Sequence, residues 1–188
     1  MTALDATSKP GAGRTPLLFV LTIFGSAALV FMVEPMIARL LLPLLGGGPS
    51  IWNTSLAFFQ AALLAGYGYA HLLQKVRSLR AQQAIHIGLL ALAAMALPVH
   101  VTTLFGEPRI DHPVVWLLGV LTVSIGGPFA MLSATAPLVQ SWHARAAHLH
   151  DGAEPYALYA ASNLGSLIAL VAYPAVLEPF APLHGQTL

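Results

Sequence analysis

The sequence predicts an all-α, polytopic transmembrane helix bundle of about five spans with its amino terminus in the cytoplasm. Three observations carry that expectation. Of the 188 residues 57% are hydrophobic and 8% are charged, where an ordinary soluble domain has roughly 25% charged residues. The apolar residues gather in long runs, each close to the roughly 20 residues that carry a helix through a bilayer core of about 30 Å. Basic residues fall unevenly on alternate loops, as they do when one side of a membrane faces the cytoplasm.

Other classes fit poorly. A transmembrane barrel shows short segments of alternating polarity, whereas this chain has a mean hydropathy of +0.75 spread over long uninterrupted stretches. The net charge of +1 gives no argument for nucleic acid as a partner; the expected partner is the lipid bilayer. With no cysteine, disulfides, thiolate metal sites and a cysteine nucleophile are excluded. No cofactor and no metal are expected.

Residues 1–15 are polar, rich in Gly, Ser and Pro, and read as a disordered cytoplasmic tail. The apolar run behind them is long and lacks a small-x-small cleavage site, so it reads as a retained first span over 17–42 rather than a signal peptide. Within it Gly25, Ser26, Ala27 and Ala28 allow close helix approach, and Pro35 is expected to bend the helix near Glu34. Gly46, Gly47, Gly48 and Pro49 form a tight exposed turn; no strand precedes them and the spacing is not that of a nucleotide-binding loop. The second span covers 51–73, with Trp52, Asn53 and Thr54 at its start, Gln60 inside it, and Tyr67 and His71 sharing a face.

Lys75, Arg77 and Arg80 mark a short connection to a third span over 84–105. A mixed loop with Glu107, Arg109 and Asp111 leads to the fourth span, 114–139, where Gly126, Gly127 and Pro128 form a helix break. Backbone groups freed by such a break are tolerated in lipid where protein or a wet cavity receives them, and discontinuous helices line transporter sites. The fifth span, 156–177, sets Ala161, Gly165 and Ala169 at four-residue intervals, a packing stripe of small residues. Glu178 and Pro179 close it, and 181–188 form a short outer tail. With the amino terminus inside, Lys9, Arg14, Lys75, Arg77, Arg80 and Arg145 lie on the inner side and Arg39 and Arg109 on the outer. Trp52 and Trp116 are then expected in an outer aromatic belt and Trp142 in an inner one.

The candidate substrate-binding residues are Glu34, Arg39, Gln60, Asn163 and Glu178. Glu34 and Glu178 each precede a proline and each lie about twenty residues into an outward-running helix, which places both carboxylates near the outer face. An ionisable group at membrane depth costs roughly 2.5–3.5 kcal/mol on insertion scales and normally has a partner or a wet surface. Arg39 is the nearest cation to Glu34, but five-residue neighbours on a straight helix point about 140° apart. Two readings stand side by side: a cation-attracting mouth, or helix-end charges solvated at the headgroups. His143, His148, His150 and Asp151 hold potential zinc ligands in a spacing that matches no known ligand pattern, so a solvated loop is the simpler reading. His71 and His86 fall near the inner boundary and could face each other, as a proton relay or, more commonly, as polar tips at a membrane boundary. No serine triad or catalytic carboxylate pair can be assembled.

Two stretches, EPMIARLLLPLLGGGPSIWNTSLAFFQAALLAGYGYAHLL from Glu34 to Leu73 and EPYALYAASNLGSLIALVAYPAVLEP from Glu154 to Pro179, resemble the membrane portion of bacterial spermidine synthase-like proteins. In that family a multi-helix, transporter-like domain precedes a soluble aminopropyltransferase domain. The likeness runs from about Leu17 to Pro179. It implies a multi-pass protein of the bacterial inner membrane, non-catalytic by itself, that anchors an aminopropyltransferase or handles polyamines. The chemistry of the family belongs to a Rossmann-type domain using a decarboxylated adenosylmethionine donor, and this chain contains no strand-rich segment of that kind. The partners implied are a soluble aminopropyltransferase-like domain or further membrane helices. The chain departs from the family pattern at Glu34, Arg39 and Glu154, where Gln, Lys and Asp are usual. A transporter or permease fragment for an unrelated small substrate, and a membrane scaffold subunit, are the alternative functions.

Overall fold

Residues with no charge and high helix propensity occupy almost every run between the Gly and Pro punctuation, and the backbone follows that pattern. The computed structural model describes residues 17–95, 106, 111–147 and 156–180. The two expected tails, 1–15 and 181–188, lie outside the described residues, as do Arg109, His148, His150, Asp151 and Glu154. Helices α1 (Leu17–Leu45), α2 (Pro49–Leu73), α3 (Leu79–Ala94), α4 (Pro113–Leu121), α5 (Gly127–Ala147), α6 (Tyr156–Ala172) and α7 (Glu178–Phe180) follow in order, with no strand among the described residues. Among the described residues, four helical stretches are long and apolar enough to cross a membrane: Leu17–Leu45, Pro49–Leu73, Pro113–Ala146 and Tyr156–Leu177.

The helix ends have local causes. Gly46 has φ +73°, a left-handed conformation that ends α1, and its N–H donates to the Leu42 carbonyl oxygen at 2.9 Å. Pro49 then opens α2, its fixed φ suiting a first helical turn that needs no N–H there. Ser78 caps α3 by accepting from the Ala81 N–H at 3.3 Å. Pro113 opens α4 as Pro49 opens α2.

The expected break at Gly126, Gly127 and Pro128 takes a different form. The helical path is continuous from Pro113 to Ala147, but Thr122–Gly126 is a π-helical turn joining α4 to α5. A proline ring clashes with the carbonyl four residues back, and for Pro128 that residue is Ser124, inside the widened turn. The same device recurs at Tyr173–Leu177 after α6, just before Glu178 and Pro179. One extra residue per turn lets the helix pass a proline without ending.

Helix directions follow from which residues meet. Gly66 lies against Ala130 and Ser133, and Phe58 against Gly126, so α2 runs parallel to α5. Trp142 bonds Gln82 and Thr135 faces His86, so α3 runs antiparallel to α5. Gly165 lies against Phe24 and Tyr173 near Glu34, which makes α6 parallel to α1. α1 packs mainly on α6 and α5, while α2 packs mainly on α5 and α4.

Two apolar clusters fill the interior. One, at the turn end, joins Ile37 and Leu41 to Phe59, Leu117, Leu121 and Phe129, with the Phe59 and Phe129 ring centroids 5.0 Å apart. The other joins Ile23, Ala70, Leu138 and Leu158. Many large apolar side chains, Leu18, Leu64, Val115 and Leu167 among them, lie on the outside, as a lipid solvent permits and water does not. Because lipid supplies no hydrophobic force between helices, close approach of backbones must hold them together. Ala161, Gly165 and Ala169 are all buried on the α6 face that meets α1, and a Cβ at Gly165 would collide with the Phe24 carbonyl oxygen.

Trp116 and Trp142 depart from the expected aromatic belts. Both are buried in the protein interior, at 6% and 7% exposure, and Trp52, at 57%, is the tryptophan that faces outward. Interface depth alone does not decide which way an indole points; here helix packing turns two of the three inward.

Gly66 and Gly68 offer a paired test. A Cβ at Gly66 would strike the Ala130 carbonyl oxygen, whereas one at Gly68 meets nothing within 4 Å. Gly66→Ala is expected to destabilise the protein by about 1–3 kcal/mol, read as a lower unfolding temperature in detergent. Gly68→Ala leaves that temperature unchanged or raises it slightly.

Candidate functional site

A cavity of about 560 Å³ opens between α1, α2 and the end of α6. α1 supplies Glu34, Pro35, Ala38, Arg39 and Leu42, α2 supplies Trp52, Asn53, Ser55, Leu56 and Phe59, and the far wall is Leu170, Tyr173 and Pro174. On α2 these residues follow the three- and four-residue spacing of one helix face. The π turn at Tyr173 forms part of the wall, so the widened turn and the cavity coincide.

Glu34 lies nearer the middle of its helix than the expected span implies. α1 continues through Pro35 and Pro43 to Leu45, three residues beyond the expected end at Leu42, so its midpoint is Phe31 and Glu34 lies about 5 Å past it. Arg39 lies five residues further along, about 8 Å of helix rise nearer the turn. Both line the one cavity. The walls are otherwise mostly apolar, with Asn53, Ser55 and Tyr173 as the uncharged polar groups.

Of the remaining candidates, Gln60 and Asn163 are exposed and stand outside the cavity lining. Both are carboxamides within long apolar helices and directed away from the packed interior. The Glu178 side chain lies outside the described residues; its backbone opens α7 one turn after Pro174. Trp52, Ser55 and Tyr173 are lining residues that sequence reasoning did not single out as site residues. The signal available for the first two was their position on one face with Leu56 and Phe59; nothing local marks Tyr173.

A second polar assembly joins α3 to α2 and α5. Gln82, fully buried, donates through Nε2 to the Val76 carbonyl oxygen at 2.6 Å and to that of Gln74 at 3.4 Å, and its Oε1 accepts from Trp142 Nε1 at 2.9 Å. Ser141 donates to Gln74 Oε1 at 3.0 Å, and Arg145 to the Gln74 carbonyl oxygen at 3.2 Å. His86 is buried with Nε2 3.2 Å from Thr135 Oγ1 and Nδ1 3.5 Å from the Tyr69 hydroxyl. Its ring stacks on Tyr69 at 5.9 Å and meets Trp142 edge-on at 6.1 Å. The expectation that His71 faces His86 is therefore corrected: His71 is exposed on α2, and Tyr69 two residues earlier takes the inward place. His143 is buried with its ring 5.2 Å from that of Phe19, and no cluster of three potential metal ligands occurs among the described residues.

With every polar atom of Gln82 engaged, this assembly is a structural clamp on α3. Gln82→Ala strands the Trp142 N–H and the Val76 carbonyl oxygen, while the Gln74 carbonyl keeps Arg145, at a cost of about 1–3 kcal/mol for each buried group left unsatisfied. The expected readout is a lowered unfolding temperature in detergent, with Gln83→Ala as the neighbouring control.

Comparisons with protein-family models, with curated proteins and with solved structures return no match for this chain.

Proposed function

We propose that this chain is an integral membrane domain of the spermidine synthase-like kind. It spans the bilayer five times with its amino terminus inside, and receives a small organic cation of the polyamine class in the cavity at Glu34. The observation that carries this reading is the cavity itself: about 560 Å³ with a carboxylate near the middle of α1 and mostly apolar walls. A carboxylate held in such surroundings attracts a cation more strongly than in water, and the walls suit the methylene segments between amine groups. Trp52 and Tyr173 add ring faces that favour an ammonium group. The chain has no catalytic role in this reading; aminopropyl transfer belongs to a separate soluble domain or partner.

The parallel run of α2 and α5 supports five crossings. α2 ends at the face opposite the start of α4, and α3, antiparallel to α5, leads back toward that start. The excess of basic residues near the connection after α2 supports an inner location for it. Since the chain has no cysteine, single substitutions report cleanly: Ser78→Cys is expected to react with a membrane-impermeant thiol reagent from the cytoplasmic side and Gly47→Cys from the outside. Reversed labelling rejects the orientation.

Spermidine binding to the purified protein in detergent, followed by tryptophan fluorescence in a Trp116→Phe, Trp142→Phe background that leaves Trp52 as the reporter, tests the cavity. Glu34→Gln should weaken binding by at least about tenfold, since one partner of a poorly solvated charge pair is lost. Equal binding by the two proteins overturns the role of Glu34. A membrane scaffold is the second reading, favoured by the outward carboxamides of Gln60 and Asn163, because polar groups in spans usually meet protein. Absence of amine binding in the unsubstituted protein leaves that reading in place.

A further inference from the structure

Gln60 lies one residue from the midpoint of α2, the 25-residue helix Pro49–Leu73, and so near the centre of the span. Its carboxamide is exposed and makes no hydrogen bond to any described residue. A carboxamide left to lipid at that depth loses the hydrogen bonds water would give it, which is costly. It does not stand alone. Asn53, Ala57, Gln60, Leu64, Tyr67 and His71 are all exposed and follow one another at alternating steps of four and three residues. That repeat of 3.5 residues is the seam of a left-handed coiled coil.

The seam differs from an ordinary lipid-facing surface in two respects. Four of its six positions carry hydrogen-bonding side chains, and its flank is built of small residues, Ala61, Ala65 and Gly68, all exposed. A Cβ at Gly68 would meet nothing within 4 Å, so no close approach inside this chain uses that glycine. Small residues on a membrane helix let a second backbone come near, and polar ones then bond across the contact. The opposite face of α2, with Ser55, Phe59, Gly66 and Ala70, is already packed within the bundle.

We propose that this seam pairs two copies of the chain, α2 against α2, about a two-fold axis normal to the membrane. Its chemistry selects that occupant. None of the six residues is an acid, a lysine or an arginine, and carboxamide, phenol and imidazole can each donate and accept. Every polar position is therefore complementary to itself. Two copies inserted the same way hold their α2 helices parallel, and an isologous contact sets each residue against its own counterpart at one depth. Asn53, Gln60 and Tyr67 recur every seven residues, roughly 10 Å of rise, and any other partner would need hydrogen-bonding groups at that same spacing. A second α2 has them by construction. Asn53 alone is shared with the cavity at Glu34, so the pairing is independent of the cation reading.

The test uses the full chain in phosphatidylcholine vesicles. With no native cysteine, single substitutions report the contact directly. Under mild oxidation Ala57→Cys and Leu64→Cys should each give a disulfide-linked dimer, whereas Leu167→Cys, on the exposed side of α6, should not. Energy transfer between donor- and acceptor-labelled chains, followed as the protein is diluted with lipid, gives the dimer dissociation constant. Gln60→Leu should raise that constant by about five- to tenfold, with unchanged helical content by circular dichroism reporting an intact fold. Transfer no greater than random collision in the unsubstituted chain overturns the proposal and leaves lipid as the cover of α2. Cross-linking at Leu167→Cys equal to that at Leu64→Cys overturns it as well. So does a dimer that Gln60→Leu leaves equally tight, since its contact then runs through another face.

Discussion

Backbone contact at glycine is the constraint on which this molecule depends. Apolar side chains gain nothing by leaving lipid for one another, so helices adhere where their main chains come close enough for dense dispersion contact. Gly66 brings α2 against the Ala130 carbonyl, and Gly165 brings α6 against that of Phe24. These two approaches fix α2 on α5 and α6 on α1. Because α2 and α6 are each held from elsewhere, a space remains between them over the face of α1, and that space is the cavity. The site is a by-product of which surfaces were allowed to touch.

Much of the helical framework was legible in the residues. Leu17 as a start, the glycine turn before Pro49 and the Ala161, Gly165, Ala169 stripe each announce themselves through local chemistry. Other features were not legible because they depend on what lies opposite. Gly66 and Gly68 look alike in sequence, and the position of Ala130 distinguishes them. Trp142 reads as an interface residue until Gln82 is seen to accept its N–H. The length of α3 is likewise an interplay of sequence and surroundings: a buried Gln82 and His86 lower the apolar signal of a helix whose described part has 16 residues.

The candidate site divides along the same line. Glu34 and Arg39 stand out because charge is rare in an apolar run, and the fold does place both at one cavity. Gln60 and Asn163 stand out for the same reason, yet face outward. Polarity in a span says that a partner is needed; the direction of the side chain says whether this chain provides it. Ser55 and Tyr173 carry no such flag, since serine and tyrosine are unremarkable in membrane helices. Their significance comes from the helices that converge on them.

The two π turns have a consequence for how the bundle tolerates change. Each successive residue of a helix turns by about 100°, so the additional residue held in Thr122–Gly126 sets the angular phase of α4 relative to α5. α4 presents Trp116, Leu117, Val120 and Leu121 to the core only in that phase. The widened turns are thus register stops, and loss of one residue there would rotate a whole apolar face out of alignment while leaving every side chain chemically intact.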